Sequence, residues 1–216
     1  MADASTIASL ATAAGTTILA VATYSSTRSA NRAARTSEHI LQAGLRPVLF
    51  NARPQDPPQK VGYADDHWVM LRDGMAAAQE HQERLYLSIP LRNVGAGLAV
   101  LHSSYVWPRR AGLEDEPPAV EDFRRLSRDL YVPAGDVSFW QTAVREPHDP
   151  LYAPLRSAIA NDQGITVDLL YGDHEGGQRT ITRFYLPPRS QPGGEEPWLR
   201  ICSTSRHWNL DRQDPR

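Results

Sequence analysis

The sequence predicts a mainly β protein: an antiparallel β-sandwich, immunoglobulin-like or jelly-roll-like, preceded by a long N-terminal α-helix. Three observations predict it. Apolar residues recur with a period of two from Pro47 onward, and about eight such runs are separated by turn-rich segments, the pattern of antiparallel sheets. Ahead of them, residues 4–44 contain no proline and place apolar and small residues at helical spacing. Of the 216 residues, 41% are apolar and 22% charged, enough for one domain of ordinary size with a core.

The first element opens with an uncharged run. Residues 4–27 carry no charge over 24 positions, and about 20 suffice to cross the hydrocarbon core of a membrane. The large apolar side chains of the run are Ile7, Leu10, Ile18, Leu19, Val21 and Tyr24; Ala, Gly, Ser and Thr fill the rest. Insertion is therefore marginal, since each Leu or Ile contributes only about −0.5 kcal/mol. Three readings compete. As a single-pass anchor over residues 1–27, the run is followed by Arg28, Arg32 and Arg35 and preceded by Asp3. The positive-inside rule then puts the later residues in the cytoplasm and makes 28–46 an Arg-rich juxtamembrane helix. As a secretory signal, Ala20-Val21-Ala22 has the small-x-small form of a cleavage site, but no Lys or Arg precedes the run. As a soluble helix, the segment packs on a partner. The anchor explains the most features. Ala11 and Gly15 form a small-xxx-small pair, which Ala-rich segments also produce by chance. Gly44 supplies a helix end and Pro47 forbids continuation, so the β-rich domain spans 47–210 and residues 211–216 form a loose tail.

Within the domain, residues 84–92 alternate without error. Leu85, Leu87, Ile89 and Leu91 fall on one face, and Arg84, Tyr86, Ser88 and Arg92 on the other. This is a half-buried strand whose Pro90 end lies at a sheet edge or a bulge. The other strand candidates are 47–52, 68–72, 98–107, 136–144, 165–171, 179–186 and 198–204. Asp149-Pro150 reads as the start of a helix whose face is Leu151, Leu155, Ala158 and Ile159, until Asn161 and Gly164 stop it. Residues 74–83 and 120–128 read as further turns of helix, and 54–58, 114–118 and 191–197 as exposed loops. Trp68, Trp107, Trp140, Trp198 and Trp208 fall in or beside strands, which makes most of them core or sandwich-end packing, with Trp208 or Leu210 docking the end of the chain.

The uncharged helix, the Arg-rich stretch, Leu45-Arg46-Pro47-Val48-Leu49, Leu91-Arg92-Asn93-Val94-Gly95-Ala96-Gly97-Leu98-Ala99 and Tyr171-Gly172-Asp173-His174-Glu175-Gly176-Gly177-Gln178-Arg179 together resemble uncharacterised single-pass membrane proteins of high-GC Gram-positive bacteria. The resemblance covers nearly the whole chain. It implies a membrane-anchored β-rich domain and carries no catalytic assignment.

Composition excludes several chemistries. A net charge of −2 supplies no general affinity for nucleic acid. The single Cys202 rules out an intramolecular disulfide and multi-cysteine zinc sites, and beside a strand it reads as a small buried residue. Lys60 is the only lysine among the 23 basic residues, an arginine bias that reads as GC-rich coding rather than mechanism. Gly95-Ala96-Gly97 imitates the start of a dinucleotide fingerprint, but position 100 is Val and the residues that follow alternate like a strand. Asn93, Gly95 and Gly97 instead predict a hairpin turn with positive φ. Asp173, His174 and Glu175 form the one loop whose groups are suited to holding metal or exchanging protons. Position 178 is Gln where an HExxH pattern needs His, so a polar hairpin loop is preferred. The remaining histidines, His39, His67, His81, His102, His148 and His207, show no ligand-like pairing.

Two function classes follow. The leading one is a membrane-anchored, cytoplasm-facing β-sandwich that binds a protein partner or a second copy, with the lipid bilayer as partner of its helix. It needs no catalytic group, cofactor or metal. The alternatives are a metal-dependent or acid/base hydrolase at Asp173-His174-Glu175, and a soluble β-domain whose helix packs on a partner.

Overall fold

The computed structural model describes residues 4–112, 114–189 and 196–211, without the side chains of residues 4–14, 39, 42 and 43. Asp3, most of the loop expected at 191–197 and residues 212–216 of the expected tail lie outside the described residues. The chain divides into two compact units, Met1–Gly44 and Leu45–Arg216.

The first unit is one helix, α1 (Ala4–Gly44), unbroken for 41 residues. Recurring alanines favour it and no proline interrupts it. The hydroxyls of Thr23, Ser25, Thr27 and Thr36 donate to backbone carbonyls one turn earlier at 2.8–2.9 Å, so these side chains need no partner outside the helix. Ile18, Leu19, Val21 and Tyr24 are exposed. No helix among the described residues is long and apolar enough to cross a membrane. The length of α1 is sufficient; apolar bulk is what falls short, because small and hydroxyl residues separate its large side chains. Described side chains begin at Gly15, so those of Ile7 and Leu10 lie outside them.

The second unit is an antiparallel sandwich. Its strands are β1 (Leu49–Asn51), β2 (Gln59–Gly62), β3 (Trp68–Leu71), β4 (Ala76–His81), β5 (Arg84–Asn93), β6 (Ala99–Trp107), β7 (Arg124–Val132), β8 (Val137–Val144), β9 (Ile165–Gly172), β10 (Arg179–Leu186), β11 (Leu199–Arg200) and β12 (Ser203–Asn209), with helix α2 (Tyr152–Ala160). In the first sheet β5 pairs β8 on one side and is shared by β1 and β4 on the other, and β11 extends β4. The second sheet runs β12-β10-β9-β6-β7. Leu85, Leu87, Ile89 and Leu91 meet Leu101, Val167, Leu169 and Phe184 between the sheets, and α2 adds Leu155 and Ala158. Each such Leu or Ile, fully buried, contributes about 1.5–3 kcal/mol.

Several expectations change. Strand β5 is buried on both faces, not one: Tyr86 and Ser88 are covered by the β2–β3 hairpin, whose Val61, Tyr63, Val69 and Leu71 make a second core on the outside of the sheet. Pro90 lies inside this central strand. Its carbonyl accepts from Ala52 N–H (2.9 Å) where the ladder passes from β4 to β1, and its missing donor faces that junction. Residues 76–81, expected as helix, are strand β4, because β5 and β11 supply its ladder. The β4–β5 turn is Gln82–Glu83, both at positive φ (49° and 57°), without the Gly or Asn that announces such a turn. The expected helix at 120–128 is a 3-10 turn, Val120–Asp122, followed by β7. The run 198–204 is split at Ile201–Cys202, where the chain leaves the first sheet for the second. Helix α2 begins at Tyr152, with Asp149 Oδ1 accepting the Leu151 N–H at 2.8 Å. Trp208 docks on the sheet, and Asp211, expected in the loose tail, is ion-paired with Arg46.

Candidate functional site

The two long seams of the sandwich differ. Along one, β1 meets β12: Asn51 N–H donates to Thr204 Oγ1, and Thr204 N–H donates to Asn51 Oδ1, both at 3.1 Å. Phe50 packs on His207 beside them, with ring centroids 4.9 Å apart. Side chains close this seam.

The other seam lies between β8 and β7 and stays open. Strand β7 pairs β6 at 130–132 and again at 124–125, but Leu101↔Leu130 is followed by Ser103↔Arg125. Residues 126–129 therefore stand opposite His102 alone, a bulge that pushes Leu126-Ser127-Arg128-Asp129 out of the ladder. Between bulge and β8 lies a cleft of about 320 Å³. Arg124, Arg125 and Arg128 line it from β7, Arg145 from the end of β8, and Gln141 from β8 itself. No carboxylate is among its lining residues.

Two of the four arginines are held by acids behind the wall. Arg124 forms a two-point pair with Asp149, both contacts at 2.6 Å, which holds the Asp149 carboxyl below its ordinary range. Arg145 Nε reaches Asp65 Oδ2 at 3.2 Å. The same oxygen accepts from Tyr86 Oη (2.6 Å) and Arg84 Nη1 (2.8 Å). Burial pushes the Asp65 carboxyl up, but the hydrogen bonds from Tyr86, Arg145 and Arg84 outweigh it and hold the group well below its usual value. Arg125 and Arg128 have no carboxylate partner among the described residues. The cleft thus presents four guanidinium groups, two of them held by ion pairs and two unpaired among the described residues, suited to carboxylate or phosphate oxygens.

None of these arginines stands out in the sequence, where the arginine bias reads as GC-rich coding. The available signal was Arg124-Arg125-Leu126-Ser127-Arg128, a basic cluster in a chain of net charge −2. The structure also pairs two histidines that the sequence left scattered. His67 and His81 stack at 4.7 Å, and Gln79 Nε2 lies 2.7 Å from His67 Nε2. Burial, then the neighbouring His81, lowers the His67 pKa. No group of three metal-ligating side chains occurs among the described residues.

Asp173, His174 and Glu175 sit in the β9–β10 hairpin. Asp173 Oδ1 accepts the Gly177 N–H at 2.8 Å, and Gly176 takes φ +76°. The side chains of His174 and Glu175 are 62% and 71% exposed. Asn93, Gly95 and Gly97 do not make a hairpin: β5 and β6 belong to different sheets, and neither glycine has positive φ. Glycine is needed there for close approach, since a Cβ at Gly95 would stand 2.3 Å from the Arg46 carbonyl oxygen and one at Gly97 1.7 Å from that of Leu45. Cys202 is buried, and burial pushes its thiol up, away from nucleophile chemistry.

A buried arginine elsewhere, Arg183, is structural. Arg183 and Asp168 are buried together, Nε to Oδ1 at 2.8 Å, with Trp107 Nε1 on the other carboxylate oxygen at 2.8 Å. Trp107 and Trp208 lie against the Arg183 guanidinium at 5.6 and 4.8 Å, which ties β6, β9, β10 and β12 across the outer face of the second sheet.

No protein-family model matches the chain, and no curated protein matches it with significance.

Proposed function

We propose that the protein is a membrane-tethered, non-catalytic binding module, and that its β7–β8 cleft takes an anionic ligand. The observation that carries the binding reading is the lining of the cleft, which holds Arg124, Arg125, Arg128 and Arg145 and no carboxylate; Arg124 and Arg145 pair with Asp149 and Asp65 outside that lining, and Arg125 and Arg128 pair with no carboxylate among the described residues. Immobilised guanidinium groups recognise paired oxygens, and two of these four are already oriented by acids behind the wall. The tether rests on the uncharged run at 4–27 and its arginine flank, and it has to hold with less apolar bulk in α1 than an independent span needs. It extends the resemblance to single-pass proteins of high-GC Gram-positive bacteria, with the sandwich on the cytoplasmic side of the cell membrane.

The test of binding is titration of the full-length protein, in mild detergent, with pyrophosphate at low salt. Wild type should bind, and Arg125→Ala with Arg128→Ala should lose the binding while keeping the wild-type unfolding midpoint. Equal affinity in both proteins would overturn the reading. The tether is tested by fractionation: the full chain should sediment with membranes and the chain lacking residues 1–27 should not. A full-length protein recovered in the soluble fraction would refute the anchor.

A further inference from the structure

The cleft offers more than charge, because one of its walls is the unpaired edge of a strand. In the first sheet β8 pairs β5 alone. The direction of its other polar groups follows from Pro90, whose carbonyl accepts from Ala52 on the β1 side. Pro90 faces Phe139 in the β5–β8 register, so this is a pair whose backbone groups point away from each other. Phe139 therefore turns its N–H and C=O outward, and the two-residue period does the same for Gln141 and Ala143. The opposite parity agrees: Asn93, odd like Leu91 and Ile89, donates its N–H to Asp136 on the β8 side at 3.0 Å. No described residue hydrogen-bonds the outward groups of Phe139, Gln141 and Ala143. Gln141 Oε1 also lacks a partner and belongs to a residue of the same cleft.

We propose that the occupant of the cleft is an extended acidic peptide, which adds as a strand to the free edge of β8 and sets its carboxylates against Arg125, Arg128 and Arg145. The proposal rests on the anion-binding reading above and names its ligand. An added strand satisfies the outward backbone groups, while side chains that alternate along it, about 7 Å apart on one face, reach Arg125 and Arg128 on β7. Charge selects the occupant. Two copies of the chain pairing β8 to β8 would bring their own Arg125, Arg128 and Arg145 together, so a second copy is the wrong partner. The seam β1–β12 offers no such edge, since Asn51 and Thr204 already close it.

The experiment uses the full-length protein and a capped peptide of alternating Glu and Val. Two versions of the peptide carry N-methyl groups on alternate amides, one on every Glu and the other on every Val. The parent should bind, and one methylated version should lose affinity by about tenfold or more while the other keeps it, since only one set of amides faces β8. Ala143→Pro removes an outward N–H without touching the ladder to β5, and should weaken the parent peptide by a similar factor. If that variant fails to fold, the methylated pair still decides. Equal binding of both methylated peptides and the parent would refute strand addition, and if Arg125 and Arg128 remain necessary, the anion cleft survives that result. A single-stranded oligothymidylate that binds more tightly than the peptide would overturn the choice of ligand. Binding of neither peptide nor pyrophosphate would remove the cleft reading with it.

Discussion

Replacing Asn93 with alanine tests whether one buried amide organises the passage from β5 to β6. Asn93 is fully buried, and its side chain makes four hydrogen bonds. Nδ2 donates to the carbonyls of Gly97 (2.7 Å) and Val132 (2.9 Å). Oδ1 accepts from the N–H groups of Gly95 (3.0 Å) and Val48 (3.2 Å). Truncation leaves the first two carbonyls buried without donors, at about 1–3 kcal/mol each, whereas the part-buried N–H groups take up water and lose only about 0.5–1.5 kcal/mol each. Allowing for water entering the vacated space, the cost is about 3–5 kcal/mol, a large share of the roughly 5–15 kcal/mol that holds a domain folded. Asn93→Asp keeps the acceptor but loses both donors and brings in a buried charge, so it should cost at least as much. Urea unfolding followed by tryptophan fluorescence measures both, with Trp140 as a buried reporter. A loss below about 1 kcal/mol for Asn93→Ala would refute the reasoning. It would mean that contacts such as Val94 N–H to the Val48 carbonyl, 2.8 Å, suffice to hold these segments.

Three further outcomes follow from the same geometry. Arg183→Gln strands the buried Asp168 carboxylate and should cost about 3–5 kcal/mol, with Asp168→Asn in the same chain recovering part of it; a double-mutant cycle with no coupling would contradict the pair. In the β9–β10 hairpin, His174→Ala and Glu175→Ala should each shift stability by no more than about 0.5 kcal/mol, and Gly176→Ala, at φ +76° with open space around it, by about 1 kcal/mol. Thermal unfolding of the three variants checks the order, and a larger loss at His174 than at Gly176 would revive a metal or proton-transfer role. Acidification should destabilise the fold. Asp65 and Asp149 have folded pKa values below the ordinary 3.8, so the unfolded chain takes up protons first. Their contribution is present above about pH 4 and is lost as pH falls through the folded values. Asp65→Asn removes one of these titrations, so its urea midpoint should fall less steeply from pH 5 to 2, and parallel slopes would rule out the assignment.

By itself the sequence determined the elements whose signal is local. Residues 179–186 form β10 over the expected range, and 84–92, 98–107, 136–144 and 165–171 needed only small changes at their ends, because short runs rich in apolar residues and bounded by turn-forming segments mark strands locally, with strict alternation in 84–92. The long helix and its end at Gly44 were legible from alanine content and Pro47. Tertiary structure decided what depends on a neighbour distant in the chain. Ala76-Ala77-Ala78-Gln79-Glu80-His81 has helix-forming composition and becomes a strand because β5 and β11 offer ladders on both sides. Tyr86 and Ser88 read as a solvent face and are buried because a hairpin from residues 59–71 folds over them. Gly95 and Gly97 announced a turn, but their need for a missing Cβ comes from the backbone of 45–48 crossing above them. The cleft is the extreme case. Arg124, Arg125 and Arg128 belong to one sheet and Arg145 to the end of a strand in the other, and no periodicity links them. Hydrophobic spacing records which side of a strand faces the core, whereas charges brought together across an open seam are placed by the packing of two sheets, which local sequence does not encode.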